Sequence, residues 1–167
     1  MKFLAALLMS RGFDPEAGLF PKLESILGEI DYRSASYPFT VTDYYEEEMG
    51  PGLHRVIVSF APLRPATDIV RVKLDTAAVE KTYERKSGRV VNIDPGYIDY
   101  YKVVLASFKE GPQKIYLGEG VYADPVLLFQ HGVFESLPWT FPDFTAGLYT
   151  NDLMEIRRIY KKARRWG

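Results

Sequence analysis

The sequence predicts an α+β chain: a ferredoxin-like βαββαβ core extended by a β-meander and closed by a C-terminal helix. Three observations predict it. Residues 3–9 form a continuous apolar run, and residues 53–61 read as a largely buried strand with alternating side chains. Residues 19–30 and the stretch after Pro65 carry apolar residues at helical spacing. From residue 102 onward, strand-like runs alternate with Gly- and Pro-containing turns. A chain of 167 residues suits one domain spanning 1–167, with the core in about 1–98 and the meander, an aromatic loop and the last helix in about 99–167.

Taken in order, Phe3–Met9 is the first strand, apolar enough to be buried on both faces. It follows Lys2 like a short signal peptide, but no small-x-small cleavage pattern follows and the run is too short to span a bilayer. Asp14-Pro15 opens a turn, and the regular helix is expected to begin near Pro21, because proline is welcome in a first turn. Leu19, Leu23, Ile26, Leu27 and Ile30 mark its apolar face. Residues 30–42 read as extended, and "LHRVIVSFA" as a strand. A long helix follows Pro65, with Val70, Leu74, Ala77, Ala78 and Lys81 on one face and Ser87-Gly88 as its stop. "RVVNI" is a short strand, and Pro95-Gly96 of "NIDPGYID" fit the middle of a type II turn. "KVVLASF", "KIYL", "VYADPVLLF" and "VFESL" form the meander, with Pro125 marking an edge or bulge. "LPWTFPDFTAG" has two prolines and is expected to be irregular, and a helix starts near Thr150 with Leu153, Ile156, Tyr160 and Ala163 inward.

Composition narrows the function classes. Absence of cysteine removes disulfides, thiolate nucleophiles and Cys-type zinc sites, and suits a reducing, cytoplasmic setting. Net charge is −1, yet six cations from Arg157 to Arg165 leave residues 1–156 with 15 basic and 22 acidic groups. A basic tail on an acidic body fits a helix C-terminus better than nucleic-acid binding. There is no P-loop, and Gly118 and Gly120 of "YLGEGVYA" precede β-prone residues, which makes a hairpin rather than a dinucleotide loop.

Four segments carry the candidate chemistry. "TDYYEEEMG" packs carboxylates beside two tyrosines, a set that suits Mg²⁺ or Mn²⁺ or acid–base work, and equally a solvated acidic loop. In "NIDPGYID" the turn accounts for Pro95 and Gly96 but leaves Asn92, Tyr97 and Asp99 unexplained. "LPWTFPDF" sets Trp139, Phe141 and Phe144 around Asp143, as a stacking wall or as a loop pinning the last helix. His54 and His131 form no triad or metal pattern.

Together, "TDYYEEEMGPGL", "RVVNIDPGYI", "KIYLGEGVYAD" and "LPWTFPDF" resemble the uncharacterised prokaryotic family known as domain of unknown function 4416, along nearly the whole chain. The family brings no activity with it. The resemblance implies that these polar and aromatic segments share a pocket, through Asp43, Tyr44 and Tyr45; Asn92, Asp94 and Tyr97; Tyr116, Gly118 and Tyr122; and Trp139, Pro142 and Asp143. Gln113-Lys114 stand where the family pattern has a His-Arg pair, and Asp124-Pro125-Val126 depart from its acid and Thr, which speaks against a histidine-dependent mechanism.

The expected function is therefore binding of a small polar or phosphorylated, nucleotide-like ligand. Asp43, Asp94 and Asp124 form its acidic and, in an enzyme, catalytic side; Lys114 is the anion contact and Trp139 with Tyr97 the stacking wall. An enzyme would use a carboxylate-held divalent metal with general acid–base help. The rival is a non-catalytic interaction module whose motif loops are structural. The pocket reading requires the acidic, "NIDPGY" and aromatic segments to converge.

Overall fold

The computed structural model describes residues 1–86 and 88–166, with the backbone alone for 165 and 166. Among these residues the fold is α+β: nine strands in one sheet, with five helices. The strands are β1 (Lys2–Met9), β2 (Ile30–Arg33), β3 (Tyr37–Pro38), β4 (His54–Leu63), β5 (Val91–Ile98), β6 (Lys102–Ser107), β7 (Ile115–Gly118), β8 (Val121–Gln130) and β9 (Val133–Ser136). The helices are α1 (Leu19–Leu27), α2 (Glu46–Met49), α3 (Ile69–Lys81), α4 (Pro142–Thr145) and α5 (Thr150–Trp166). The sheet runs β2-β4-β1-β5-β6-β8-β7, with β3 added to β4 and β9 to β8, and its pairings are antiparallel.

β1 lies in the middle, and its unbroken apolar run has a physical reason. Phe3, Ala5, Leu7 and Met9 face α1 and α3, while Leu4 and Ala6 face the layer containing α5. Both faces are thus dry, as a central covered strand requires. On the first face Leu19, Leu23 and Leu27 of α1 and Ile69 and Val72 of α3 complete the core. On the second, Leu153 and Ile156 of α5 do so, with Phe144 of α4 and Tyr149.

Four expectations are corrected. α1 begins at Leu19, two residues before Pro21, which still falls within the first turn; Asp14 caps a separate 3-10 turn at Pro15–Ala17. α3 is preceded by a 3-10 turn at Ala66–Asp68 and ends at Lys81; Ser87 lies outside the described residues. Its inward stripe is Ile69, Val72, Lys73 and Thr76, while Leu74 is exposed. Of the expected stripe, Val70 still packs against the core, whereas Leu74 and Ala78 face outward and Lys73 and Glu80 turn to the sheet. The aromatic segment is irregular through Phe141 but forms the short helix α4 from Pro142.

The largest correction concerns "NIDPGYID". It is no turn: Val91–Ile98 is continuous strand, paired with β1 along its whole length. β6 joins β5 at Gly96, Tyr97 and Ile98 alone, opposite Leu105, Val104 and Val103. Continuing this register places Pro95 opposite Ala106, and Pro95 has no N–H to return to the Ala106 carbonyl, so the ladder ends there. Gly96 serves close approach rather than backbone freedom. A Cβ on it would stand 2.2 Å from the Val104 carbonyl oxygen. Asp99, the remaining unexplained residue of the motif, accepts from the Tyr101 and Lys102 N–H groups and fastens the β5–β6 hairpin.

Candidate functional site

Beyond Pro95 the strands β5 and β6 diverge, and a cleft of about 470 Å³ opens between them. A strand edge facing such a gap leaves backbone groups without ladder partners, which is costly when buried. Side chains of α3 fill the place of the missing strand. Glu80 Oε1 accepts from the Ile93 N–H at 2.5 Å, and Lys73 Nζ donates to the Ile93 carbonyl at 3.1 Å. Two residues along the same edge, Pro95 has no N–H to satisfy. The opening is built into the sheet, not a packing defect.

Above the gap, on the face that α5 covers, the alternation of β5 places Asn92 and Asp94 beside Leu8 and Ala6 of β1. Asn92 Nδ2 donates to Asp94 at 2.9 Å, and Arg89 Nη1 donates to Asn92 Oδ1 at 2.8 Å. Arg89 also grips Glu48 of α2 in a bidentate pair at 2.6 and 2.7 Å, which fixes the acidic segment against β5. Asp94 lies 3.6 Å from Arg55 and 3.9 Å from Lys73. Buried Arg55 reaches on to Asp143 at 3.0 Å; its Nε–H is not aimed for a hydrogen bond, so this contact is coulombic. Tyr149 donates to the same carboxylate.

On the far wall, Asp124 of β8 is held by Gln113 Nε2 at 3.2 Å and by Lys114 Nζ at 3.3 Å, and Lys114 also donates to Ser107 Oγ. Phe108, Phe141 and Tyr44 stand at the mouth, each with more than a third of its surface exposed. Lys109 Nζ donates to the Tyr44 hydroxyl. The lining carries four cations, Lys73, Arg89, Lys109 and Lys114, against three carboxylates, Glu80, Asp94 and Asp124.

The electrostatics follow from this packing. Burial pushes the Glu80 carboxyl above its ordinary range, more than Lys73 and Arg89 pull it down. Tyr45 is raised, first by burial and then by the Asp94 charge. Glu48 is lowered by its hydrogen bonds from Arg89, despite partial burial.

Of the residues singled out from sequence, Tyr44, Tyr45, Asn92, Asp94, Lys114 and Asp124 line this one cleft, and the three motif segments meet there through Tyr44, Asp94 and Pro142. Others lie elsewhere. Asp43 is exposed and off the cleft. Tyr97 points to the opposite face, against Phe3. Trp139 donates to the Pro125 carbonyl at 2.8 Å and, with Thr140 on Val126, caps the β8 edge between β7 and β9. The expected wall of Trp139 and Tyr97 is therefore not formed. Tyr116 and Tyr122 pack on each other beyond the cleft, and Asp143 is buried beneath it with Arg55. Lys73, Glu80, Arg89 and Phe108 also line the cleft, although the sequence alone does not single them out. The signal lay in the i, i+3, i+4, i+7 series Ile69, Val72, Lys73, Thr76, which competes with the more apolar series through Val70.

A divalent ion does not suit these donors. Asp94 and Asp124 already face ammonium or guanidinium groups, and among the described residues no three His, Cys, Asp or Glu side chains gather to hold a metal. A larger hollow of about 720 Å³ runs along α5, but its described lining comes from that one helix alone.

Comparison with known families supplies the remaining fact. The family described as Domain of unknown function (DUF4416) matches residues 1–160 of the 167. The chain belongs to this family. The DUF4416 match takes in every strand and all but the end of α5, so the cleft and its walls lie inside the shared region. No curated protein and no solved structure matches this DUF4416 chain. No helix among the described residues is long and apolar enough to cross a membrane.

Proposed function

We propose that this chain binds a small polar ligand in the cleft between β5 and β6. The observation that carries this reading is that the opening is maintained by dedicated side chains. Pro95 ends the ladder, and Glu80 and Lys73 satisfy the strand edge that β6 abandons. A sheet that gained nothing from the gap could close it with ordinary pairing. The volume is in the range of small-molecule sites, and aromatic groups at the mouth with charged groups inside suit a ligand having both characters. Asp94, Asp124 and Lys114 act here as fixed polar contacts. We also infer that β1, α1, β2, β4, α3 and β5 form a ferredoxin-like core; the antiparallel order β2-β4-β1-β5 supports it. The cleft then lies where that core meets the meander.

The test is a thermal-shift panel of nucleotides, sugar phosphates, organic acids and divalent metals. A ligand at 100 times its Kd adds about 2.7 kcal/mol to the folded state, a readily measured shift. A stabilising compound whose effect is lost in Tyr44→Ala, an exposed mouth variant, supports the reading. No shift across the panel overturns it.

The second reading, an interaction module, is favoured by a specific feature. β7 ends the sheet, and its Ile115, Tyr116 and Leu117 are exposed. If that reading holds, Tyr116→Lys weakens self-association or partner capture while leaving every small-molecule shift in place.

A further inference from the structure

The structure assigns the ligand's charged end to Lys73: we propose that the cleft takes a singly charged carboxylate, head inward, with a planar apolar body at the mouth. This rests on the cleft being a ligand site. Lys73 is 6% exposed and projects from α3 into the cleft. Its ammonium carries three N–H donors, yet it makes one hydrogen bond, to the Ile93 carbonyl. Asp94, at 3.9 Å, is too far for a second, and the Phe108 ring at 5.2 Å offers a face and not an acceptor. A buried ammonium with open donors in a cavity is a high-energy arrangement that an anion relieves.

The other interior amine differs. Lys114 already has Asp124 and Ser107 as partners, so the anion contact expected there is taken. Lys109 and Arg89 sit nearer solvent, engaged by Tyr44 and by Glu48. Among the described cations of the lining, Lys73 is thus the buried one with open N–H donors, although Asp94 and Glu80 stand near its charge.

Charge and shape narrow the ligand further. Four cations against three carboxylates leave the lining one formal positive charge, which a monoanion neutralises and a dianionic phosphate would exceed. The floor is the wedge between two diverging strands, beside the Glu80 and Lys73 groups that already serve the β5 edge. A carboxylate is planar and can lie in that wedge, with an oxygen toward Lys73. Phe108, Tyr44 and Phe141 then meet the rest of the molecule.

The experiment is an amide-shift NMR titration of the whole chain with 2-naphthoate, 2-naphthamide and 2-naphthyl phosphate. It is run on the wild type, on Lys73→Gln, which keeps a donor for Ile93, and on Lys73→Met. Charge-assisted bonding predicts that the wild type prefers the carboxylate to the amide by about tenfold or more, with shifts at Asn92, Asp94 and Ala106. The preference falls below about threefold in both variants, while naphthamide affinity is retained. If the preference survives in both variants, or the phosphate binds most tightly, Lys73 is not the carboxylate contact and this proposal fails while the cleft reading stands. If none of the three probes shifts cleft amides while the broader panel still finds a ligand, the carboxylate assignment fails alone; if the panel also finds none, both fail.

Discussion

At Gly96 the pairing of β5 with β6, next to the cleft, depends on the absence of one methyl group. The hypothetical Cβ meets the Val104 carbonyl oxygen at 2.2 Å and Leu105 Cδ2 at 2.8 Å; the side chain can move, but the ladder carbonyl cannot. Gly96→Ala is expected to cost about 2–4 kcal/mol in urea unfolding, an overpacking penalty against backbone. Pro95→Ala, which leaves the β1 pairing intact, is expected to cost less than about 1 kcal/mol. Equal costs at the two positions would contradict the close-approach account. Residue chemistry also predicts how stability varies with pH. Glu80 has a raised carboxyl in the folded chain, so the folded state binds the proton more tightly than the unfolded one. Its contribution therefore weakens stability progressively as pH rises above the unfolded value of 4.5, up to the folded value. Glu48, held low by Arg89, contributes in the other direction and in a separate window: its stabilisation is present above 4.5 and is lost as pH falls below it. Glu80→Gln retains an oxygen for the Ile93 N–H, so it should flatten the slope of unfolding free energy above pH 4.5 and leave the acid limb unchanged. A slope unaffected by this change would mean that burial of Glu80 is not what shapes it.

At the scale of elements, what could be read from the sequence was what local periodicity encodes. The double-faced burial of β1 follows from an uninterrupted apolar run, and the Glu119-Gly120 hairpin from its turn residues, both of which take positive φ. Misreadings arose where a partner element supplied the missing half. Pro95-Gly96 look like a turn because that pair favours one, yet β1 pairs through the whole segment and overrides the local preference. Lys73 and Glu80 look like solvent-facing positions because their partner is a strand edge twenty and thirteen residues away. Trp139 looked available for stacking, but it completes the β8 edge, a role decided by the break between β7 and β9. The short helix α2 is similarly held from outside, by Arg89 rather than by a cap of its own. Arg89→Ala should therefore speed amide exchange across residues 42–50 at least tenfold while lowering global stability by less than about 1 kcal/mol, because the pair is partly exposed. Unchanged exchange there would show that hydrophobic packing of Met49 suffices to hold the segment.

The whole molecule is a sheet sealed on two sides, and the second seal hangs on a small number of polar ties. α5 buries Leu153 and Ile156 over Leu4, Ala6 and Ile57, but apolar packing alone leaves the helix free to rotate or slide. Asp152, 5% exposed, sets its position by accepting from Tyr32 at 2.7 Å and Tyr37 at 2.8 Å, hydroxyls from two different strands at the β4 side of the sheet. Five residues on, near the middle of the helix, Arg157 donates to the Tyr100 carbonyl in the β5–β6 hairpin, at the paired end of these strands, and lies 3.4 Å over the Phe129 ring of β8. The two ties act on opposite halves of the sheet, so α5 spans the junction between the β1–β5 half and the meander. Asp152→Ala removes one acceptor from two tyrosines at once and is expected to cost about 2–4 kcal/mol, more than an ordinary single hydrogen bond. Asp152→Asn keeps one acceptor oxygen and should cost roughly half as much. If α5 is the element that joins the halves, Asp152→Ala should lower the urea midpoint measured by tryptophan fluorescence and by far-UV circular dichroism together, in one transition. Two separated transitions would mean that the meander unfolds on its own and that the cleft, whose walls come from both halves, is not held by α5.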